Sequence, residues 1–249
     1  MPTVAACQCE VDDLDPDSNV QRVERRVAGL PDRTDVVVFP EHALTGFVAD
    51  ERIDKAALAS ETVSERLGSL ATEHDLAVLA GYVERGAGDR LYNAAALVRP
   101  DGVSAVYRKR HLWGDEADWL TPGEDRVIVE TALGRTGLLT CYDLNFVEES
   151  AALTRERVDA LLVVGAWPAP HGDNWRLLCR ARALDGVRWV VGADRVGASG
   201  ETVYAGRSLV VRPNGSVHSA LDVDPGDLVA DIDPGELARH RRAVGVFSD

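Results

Sequence analysis

The chain has 249 residues, 45% of them hydrophobic, enough for a sizeable buried core. Its 41 acidic residues outnumber 27 basic ones for a net charge of -14, which argues against a nucleic-acid footprint and against an anionic membrane partner. The longest apolar run, around 161–167, is far too short to span a bilayer, and the N-terminus lacks the basic and apolar regions of a signal peptide.

In chain order, residues 3–9 read as a buried strand. Residues 18–30 have helical apolar spacing (Val20, Val23, Val27, Leu30), with Asp17 or Ser18 placed to cap. A β-branched strand over 35–39 ends at Pro40, and 60–74 is a second helix. Strands at 76–83 and 91–98 flank Gly86-Ala87-Gly88, and 103–107 follows the turn Pro100-Asp101-Gly102. Residues 127–130 and 136–140 pair around Gly134. A helix at 146–156, a strand at 160–164, a helix at 175–184 and a strand at 188–192 come next. A strand at 208–211 precedes the turn Pro213-Asn214-Gly215, and 228–232 is a late strand. Helices alternate with apolar strands, but the hairpins exclude a purely parallel sheet. Two mixed sheets packed face to face with helices outside, an α-β-β-α sandwich, fit this pattern. No linker or composition shift divides the chain, so residues 1–249 are read as one domain.

The chain carries two lysines, Lys55 and Lys109, among 25 arginines. This acidic, lysine-poor composition suits a protein kept soluble at high salt, as in a halophile; an acidic protein from an arginine-rich, high-GC genome is the alternative. A cytoplasmic location is expected. The four cysteines form no zinc pattern. Cys7 and Cys9 fall on one face of a strand, as small core residues would.

Three segments carry chemistry. Phe39-Pro40-Glu41 ends an apolar strand. Tyr107-Arg108-Lys109-Arg110-His111-Leu112 follows another. Gly137-Leu138-Leu139-Thr140-Cys141-Tyr142-Asp143 runs from a strand into a helix-like segment. A thiol, a carboxylate and an ammonium are what a thiol-based amide hydrolase needs: one attacks, one moves protons, one holds the oxyanion. Lysine at 109, where this sequence otherwise writes arginine, indicates a need for a compact ammonium. At a strand-turn-helix junction Cys141 would be exposed among backbone N–H donors, with the ammonium and the helix N-terminus lowering its pKa. Taken singly, Glu41 also reads as a solvated glutamate, Lys109 as part of a basic turn and Cys141 as an inert core thiol. Trp113, Trp119, Trp167 and Trp175 are candidates for an apolar pocket, with core packing the default for each.

Taken together, these segments resemble the nitrilase superfamily of carbon–nitrogen hydrolases, in particular its amidase-like branch. The resemblance runs through most of the chain. The segment from Leu112 to Gly123 is similar to the family segment that carries a second glutamate, here Glu116. Leu91-Tyr92-Asn93-Ala94, Ala181-Arg182-Ala183 and Gly206-Arg207-Ser208 also sit where the family has similar residues. The resemblance implies Glu41 as general base and acid, Cys141 as nucleophile, and Lys109 at the oxyanion, helped by the Tyr142 N–H. Glu116 would orient the lysine or substrate. It also implies the sandwich fold, a homodimer, and neither metal nor cofactor. Departures fall at Asn145, where many relatives have arginine, at Val147, where proline is frequent, and at Asp194, where asparagine is frequent. Cys141-Tyr142-Asp143 favours amides over nitriles. The expected substrate is a small linear amide, with an ω-amide of a dicarboxylic acid as one form. Trp113, Asn145, Trp167, Arg195 and Arg207 are pocket candidates, and Arg195 or Arg207 would meet a distal carboxylate. N-carbamoyl amide hydrolysis, nitrile hydrolysis, acyl transfer and a non-catalytic scaffold stay open as alternatives.

Overall fold

The computed structural model describes residues 1–102 and 104–245. The first half runs β1 (Thr3–Gln8), α1 (Pro16–Ala28), β2 (Val36–Val38), α2 (Ile53–Ala56), α3 (Ser60–His74), β3 (Ala77–Arg85), β4 (Leu91–Val98) and β5 (Ser104–Arg108). The second runs α4 (Glu116–Trp119), β6 (Ile128–Thr131), β7 (Gly134–Thr140), α5 (Val147–Arg155), β8 (Ala160–Gly165), α6 (Gly172–Gly186) and β9 (Trp189–Asp194). It closes with β10 (Ala198–Ser199), β11 (Thr202–Val203), β12 (Leu209–Val211), β13 (Val217–Ala220), β14 (Gly226–Asp231) and α7 (Pro234–Val244). The strand predicted at 103–107 is β5, and Val103 itself lies outside the described residues.

Two six-stranded mixed sheets form, in the orders β14-β1-β2-β3-β4-β5 and β13-β12-β9-β8-β7-β6. In each, three parallel strands sit at the centre: β1-β2-β3 in one, β7-β8-β9 in the other. Antiparallel neighbours extend both edges. The parallel pairs need crossovers, and α1, α3, α5 and α6 supply them. This is the expected α-β-β-α sandwich. The short hairpin β10–β11, strand β13 and helix α7 escaped the sequence reading because their patterns are brief or polar.

Strand alternation builds the layers. Val4, Ala6, Val36, Val38, Leu79 and Leu97 pack with Leu138, Leu162, Val164 and Val191 between the sheets. Their neighbours Ala5, Cys7, Val37, Phe39, Val78 and Ala80 face the other way, under Val20, Val23 and Val27 of α1 and Val63, Leu67 and Leu70 of α3. Cys9 joins Cys7 on that helix-covered side. Helix α1 starts where the Asp15 side chain accepts the Ser18 N–H at 3.1 Å, with Pro16 in the first turn. Because β2 and β7 are central strands of facing sheets, their C-terminal ends meet at one rim of the sandwich, and this places the site.

Candidate active site

Glu41 lies three residues past β2. Phe39 still pairs with β3, its N–H donating to Leu79 O at 2.8 Å, but Pro40 cannot continue the ladder. The chain folds over β3, and the Glu41 N–H donates across to Gly165 O of the facing sheet at 3.3 Å. His42 takes a left-handed φ of 57°. Gly81 of β3 permits this fold-over, because a Cβ there would lie 2.6 Å from His42 N and 2.7 Å from Glu41 Cα. The Glu41 side chain is consequently buried.

Lys109 follows β5. Its N–H donates to Asn93 O at 2.7 Å and its carbonyl accepts the Gly123 N–H at 2.8 Å, so its backbone is held from both sides. Its ammonium is 2% exposed and bonds Glu41 Oε1 at 2.8 Å and Glu116 Oε2 at 2.7 Å. Burial disfavours that charge, but the two carboxylates outweigh it and hold the ammonium's pKa well above the usual lysine range. Burial likewise works against the Glu116 charge. Lys109, and His42 with Nε2 3.6 Å away, outweigh it and hold the carboxyl well below the usual range. Trp113 N–H adds a 2.8 Å bond to Glu116 Oε2.

Asn93 completes this cluster, and the sequence reading gave it no role. Its Nδ2 donates to Glu41 Oε1 at 2.7 Å and to Glu116 Oε1 at 2.6 Å, tying the two carboxylates together. An asparagine inside the otherwise apolar strand 91–98 was the available signal, since a buried amide needs partners. Glu41, His42 and Glu116 offer ligand atoms within 4.8 Å of one another, but the Lys109 ammonium, bonded to both carboxylates, occupies the cation's place.

Cys141 begins a short 3-10 turn (Cys141–Asn145) directly after β7, with a left-handed φ of 48°. For a residue with a side chain that conformation costs about 1–3 kcal/mol and marks an elbow. Asp143 holds the elbow. Its buried carboxylate accepts Tyr107 OH at 2.7 Å, His111 N–H at 3.0 Å, His111 Nδ1 at 2.9 Å and Thr140 N–H at 3.1 Å. The Cys141 thiol lies in one cavity wall with Glu41 and Ala166, where the Glu41 carboxylate and the Ala166 N–H both act on it. The lowered thiol pKa expected from the sequence is reversed. Burial, then the Glu41 charge, push it well above the ordinary thiol value, against smaller opposing pulls from Lys109 and the Ala166 N–H. The helix dipole cannot help, because α5 begins six residues on, at Val147. Cys141 therefore rests as a thiol beside a base.

A cavity of about 560 Å³ opens over these groups. Glu41, Lys109, Glu116 and Cys141 line it together with Asp13, Phe47, Arg52, Trp113, Asp115, Tyr204 and the β10–β11 hairpin. A smaller cavity of about 190 Å³ adjoins Cys141 and is walled by Trp113, Tyr142, Asn145, Trp167 and Asn174. Trp119 lines neither cavity, and Trp175 is core. Arg195 is buried and turned away. It donates to Val11 O at 2.8 Å, pairs with Asp13 at 3.2 Å and stacks on Tyr204. Arg207 pairs with Asp173. Neither guanidinium lines either cavity; of the lining residues, Arg52 is the basic one besides Lys109.

Comparison with known proteins agrees with this geometry. The carbon-nitrogen hydrolase family model matches residues 3–242. An (R)-stereoselective amidase of Pseudomonas sp. is 33% identical over 239 residues, which is 95% of this chain and 87% of that protein. The omega-amidase YafV of Escherichia coli K12 is 32% identical over 95% of this chain and 91% of its own length. A solved structure of the amidase from Nesterenkonia sp. AN1, with acrylamide added at its active-site cysteine, superposes with a TM-score of 0.86 at 25% identity, covering 98% of both chains. The chain belongs to the carbon-nitrogen hydrolase family of the nitrilase superfamily, as an amide-hydrolysing enzyme with Cys141 at the catalytic position.

Proposed function

We propose that the enzyme hydrolyses small linear amides through a thioester on Cys141, with Glu41 moving the protons and Lys109 holding the oxyanion. One observation carries this reading: the buried Glu41 carboxylate bonds the Lys109 ammonium at 2.8 Å and shares one cavity wall with the Cys141 thiol. Glu41 takes the thiol proton as sulfur bonds to the amide carbon. The charge developing on the carbonyl oxygen is met by Lys109 Nζ and the Tyr142 N–H. Glu41 returns the proton to the leaving nitrogen, the C–N bond breaks, and ammonia departs from the thioester. Water then gives a proton to Glu41 and attacks the same carbon. The C–S bond breaks, a carboxylic acid leaves, and the thiol is restored. Glu116 and Asn93 keep Glu41 and Lys109 in register throughout.

An ω-amide of a dicarboxylic acid fits the cavity if Arg52 meets the distal carboxylate. Arg52 is exposed and bonded to Asp50, so it is free to exchange that partner for a substrate. Ammonia release from a panel of amides, carbamoyl amino acids and nitriles tests the reading. Cys141→Ala should abolish release with the fold intact, and retained turnover would refute the mechanism. Arg52→Ala should raise KM about fivefold for ω-amides of dicarboxylic acids only, the worth of an exposed charge contact. We read residues 1–249 as one such domain, cytoplasmic and dimeric. Val147 of α5 and Leu177 and Leu184 of α6 are large exposed apolar residues on one helical layer that a second copy would cover. No helix among the described residues is long and apolar enough to cross a membrane.

A further inference from the structure

Asp194 ends β9, opposite Gly165 in the parallel register of β8. It is wholly buried, and the hydrolase reading gives it no part. Three consecutive residues link it to the reacting groups. Gly165 O accepts the Glu41 N–H, Ala166 lines both cavities beside Cys141 with its N–H acting on the thiol, and the Trp167 N–H donates to Asp194 Oδ1 at 2.9 Å. Gly165 leaves room for the carboxyl, because a Cβ there would lie 2.9 Å from Asp194 Oδ1.

The other carboxyl oxygen, Oδ2, has no partner among the described residues. No cation among the described residues pairs with it. Arg195, next in the chain, turns its guanidinium to Val11 O and Asp13, and Arg182 of α6 turns to Leu144 O and Asp185. The titratable groups that do face Asp194 are Glu41 from the end of β2 and Cys179 from α6. An anion held there, unpaired and near Glu41, would be costly. Burial, with the Glu41 charge, accordingly pushes the Asp194 carboxyl well above the usual carboxylate range, against smaller opposing pulls from the Trp167 and Arg195 N–H groups.

We propose that Asp194 is a positioning residue that works as an uncharged carboxylic acid: its Oδ1 fixes the Trp167 N–H and so aims the adjoining Ala166 N–H at the Cys141 sulfur. The neutral acid supplies an acceptor without placing a second negative charge behind the nucleophile. Asparagine offers the same acceptor and the same neutrality. The inference rests on Cys141 being the nucleophile, but its test needs no amide turnover.

The experiment compares wild type, Asp194→Asn and Asp194→Ala at neutral pH. The infrared difference spectrum of wild type minus Asp194→Asn should contain a protonated-carboxyl C=O band. Alkylation of Cys141 by iodoacetamide, followed by mass spectrometry at that residue, reads the sulfur's environment. Asp194→Asn should alkylate at the wild-type rate, and Asp194→Ala about tenfold more slowly, the worth of one hydrogen bond to a charged group. Absence of the carboxyl band, wild-type alkylation in Asp194→Ala, or slow alkylation in Asp194→Asn would each overturn the proposal. Should Asp194→Ala not fold, the band and the Asp194→Asn rate decide. Loss of amide hydrolysis with both of those as expected would count against the substrate reading alone.

Discussion

Gly81→Ala tests how the fold aims the general base. The substitution adds one methyl group on β3, away from any reacting atom. That methyl carbon would lie 2.6 Å from His42 N, 2.7 Å from Glu41 Cα and 2.7 Å from Pro40 O. Carbon in van der Waals contact needs about 3.5 Å. The segment from Pro40 to His42 must therefore lift by about 0.8–1 Å, since all three contacts are backbone and cannot rotate away. The Glu41 N–H bond to Gly165 O, already 3.3 Å, and the Gly81 N–H bond to Pro40 O at 3.1 Å would lengthen together. A shift of about 1 Å in a catalytic group costs about a hundredfold in rate, and overpacking of this kind costs about 1–3 kcal/mol. Ammonia release gives kcat/KM, and urea unfolding gives stability. Gly68→Ala is the control, because its Cβ would meet only Val98 Cγ1 at an ordinary 3.7 Å inside α3. That variant should gain up to about 1 kcal/mol from helix propensity and keep full activity. Wild-type turnover and stability in Gly81→Ala would show that the close approach does not position Glu41.

Lys109→Met leaves Glu41 and Glu116 buried without their cation, which should cost about 3–5 kcal/mol near neutral pH and lower kcat about 10²–10³-fold. In wild type the Glu116 contribution to stability is present above the unfolded carboxyl pKa and lost as pH falls. In Lys109→Met that dependence should invert, because protonation would then relieve the unpaired carboxylates; urea midpoints at mildly acidic and neutral pH check the sign. Glu41→Gln should lower turnover about 10²–10⁴-fold yet speed iodoacetamide alkylation of Cys141, since the carboxylate that raises the thiol pKa is gone. Slower alkylation would mean that Glu41 instead activates the resting sulfur. Burial also raises the other three thiols, Cys9 to about 11. The unfolded chain releases these protons from about pH 8.5. Stability should hold below that point and fall above it by about 1.4 kcal/mol per pH unit for each thiol, until its folded pKa is reached. A urea midpoint level across that alkaline range would contradict the burial of the four thiols.

The sequence by itself determined the layers. Alternation in strands such as 3–9 and 91–98, helical spacing in 18–30 and 60–74, and the turn residues between them act over a few neighbours, so they are legible without a fold. The order of the segments carrying Glu41, Lys109 and Cys141 was legible for the same reason, each being tied to a strand end. Asn93 and Asp143 were harder to read. Their roles depend on partners distant in sequence, such as Glu41 and Glu116 for the amide and Tyr107 for the carboxylate. The resting state of Cys141 depended on tertiary structure too. A local reading placed it at a helix start near an ammonium, whereas folding buries it, sets it beside Glu41 and starts α5 six residues later. Arg195 and Arg207 looked available as cations, but folding leaves both outside the cavity lining and puts Arg52 there. Local pattern decides which face of an element is apolar; burial, charge pairing and the choice of partner are properties of the packed chain, and only the tertiary structure decided them.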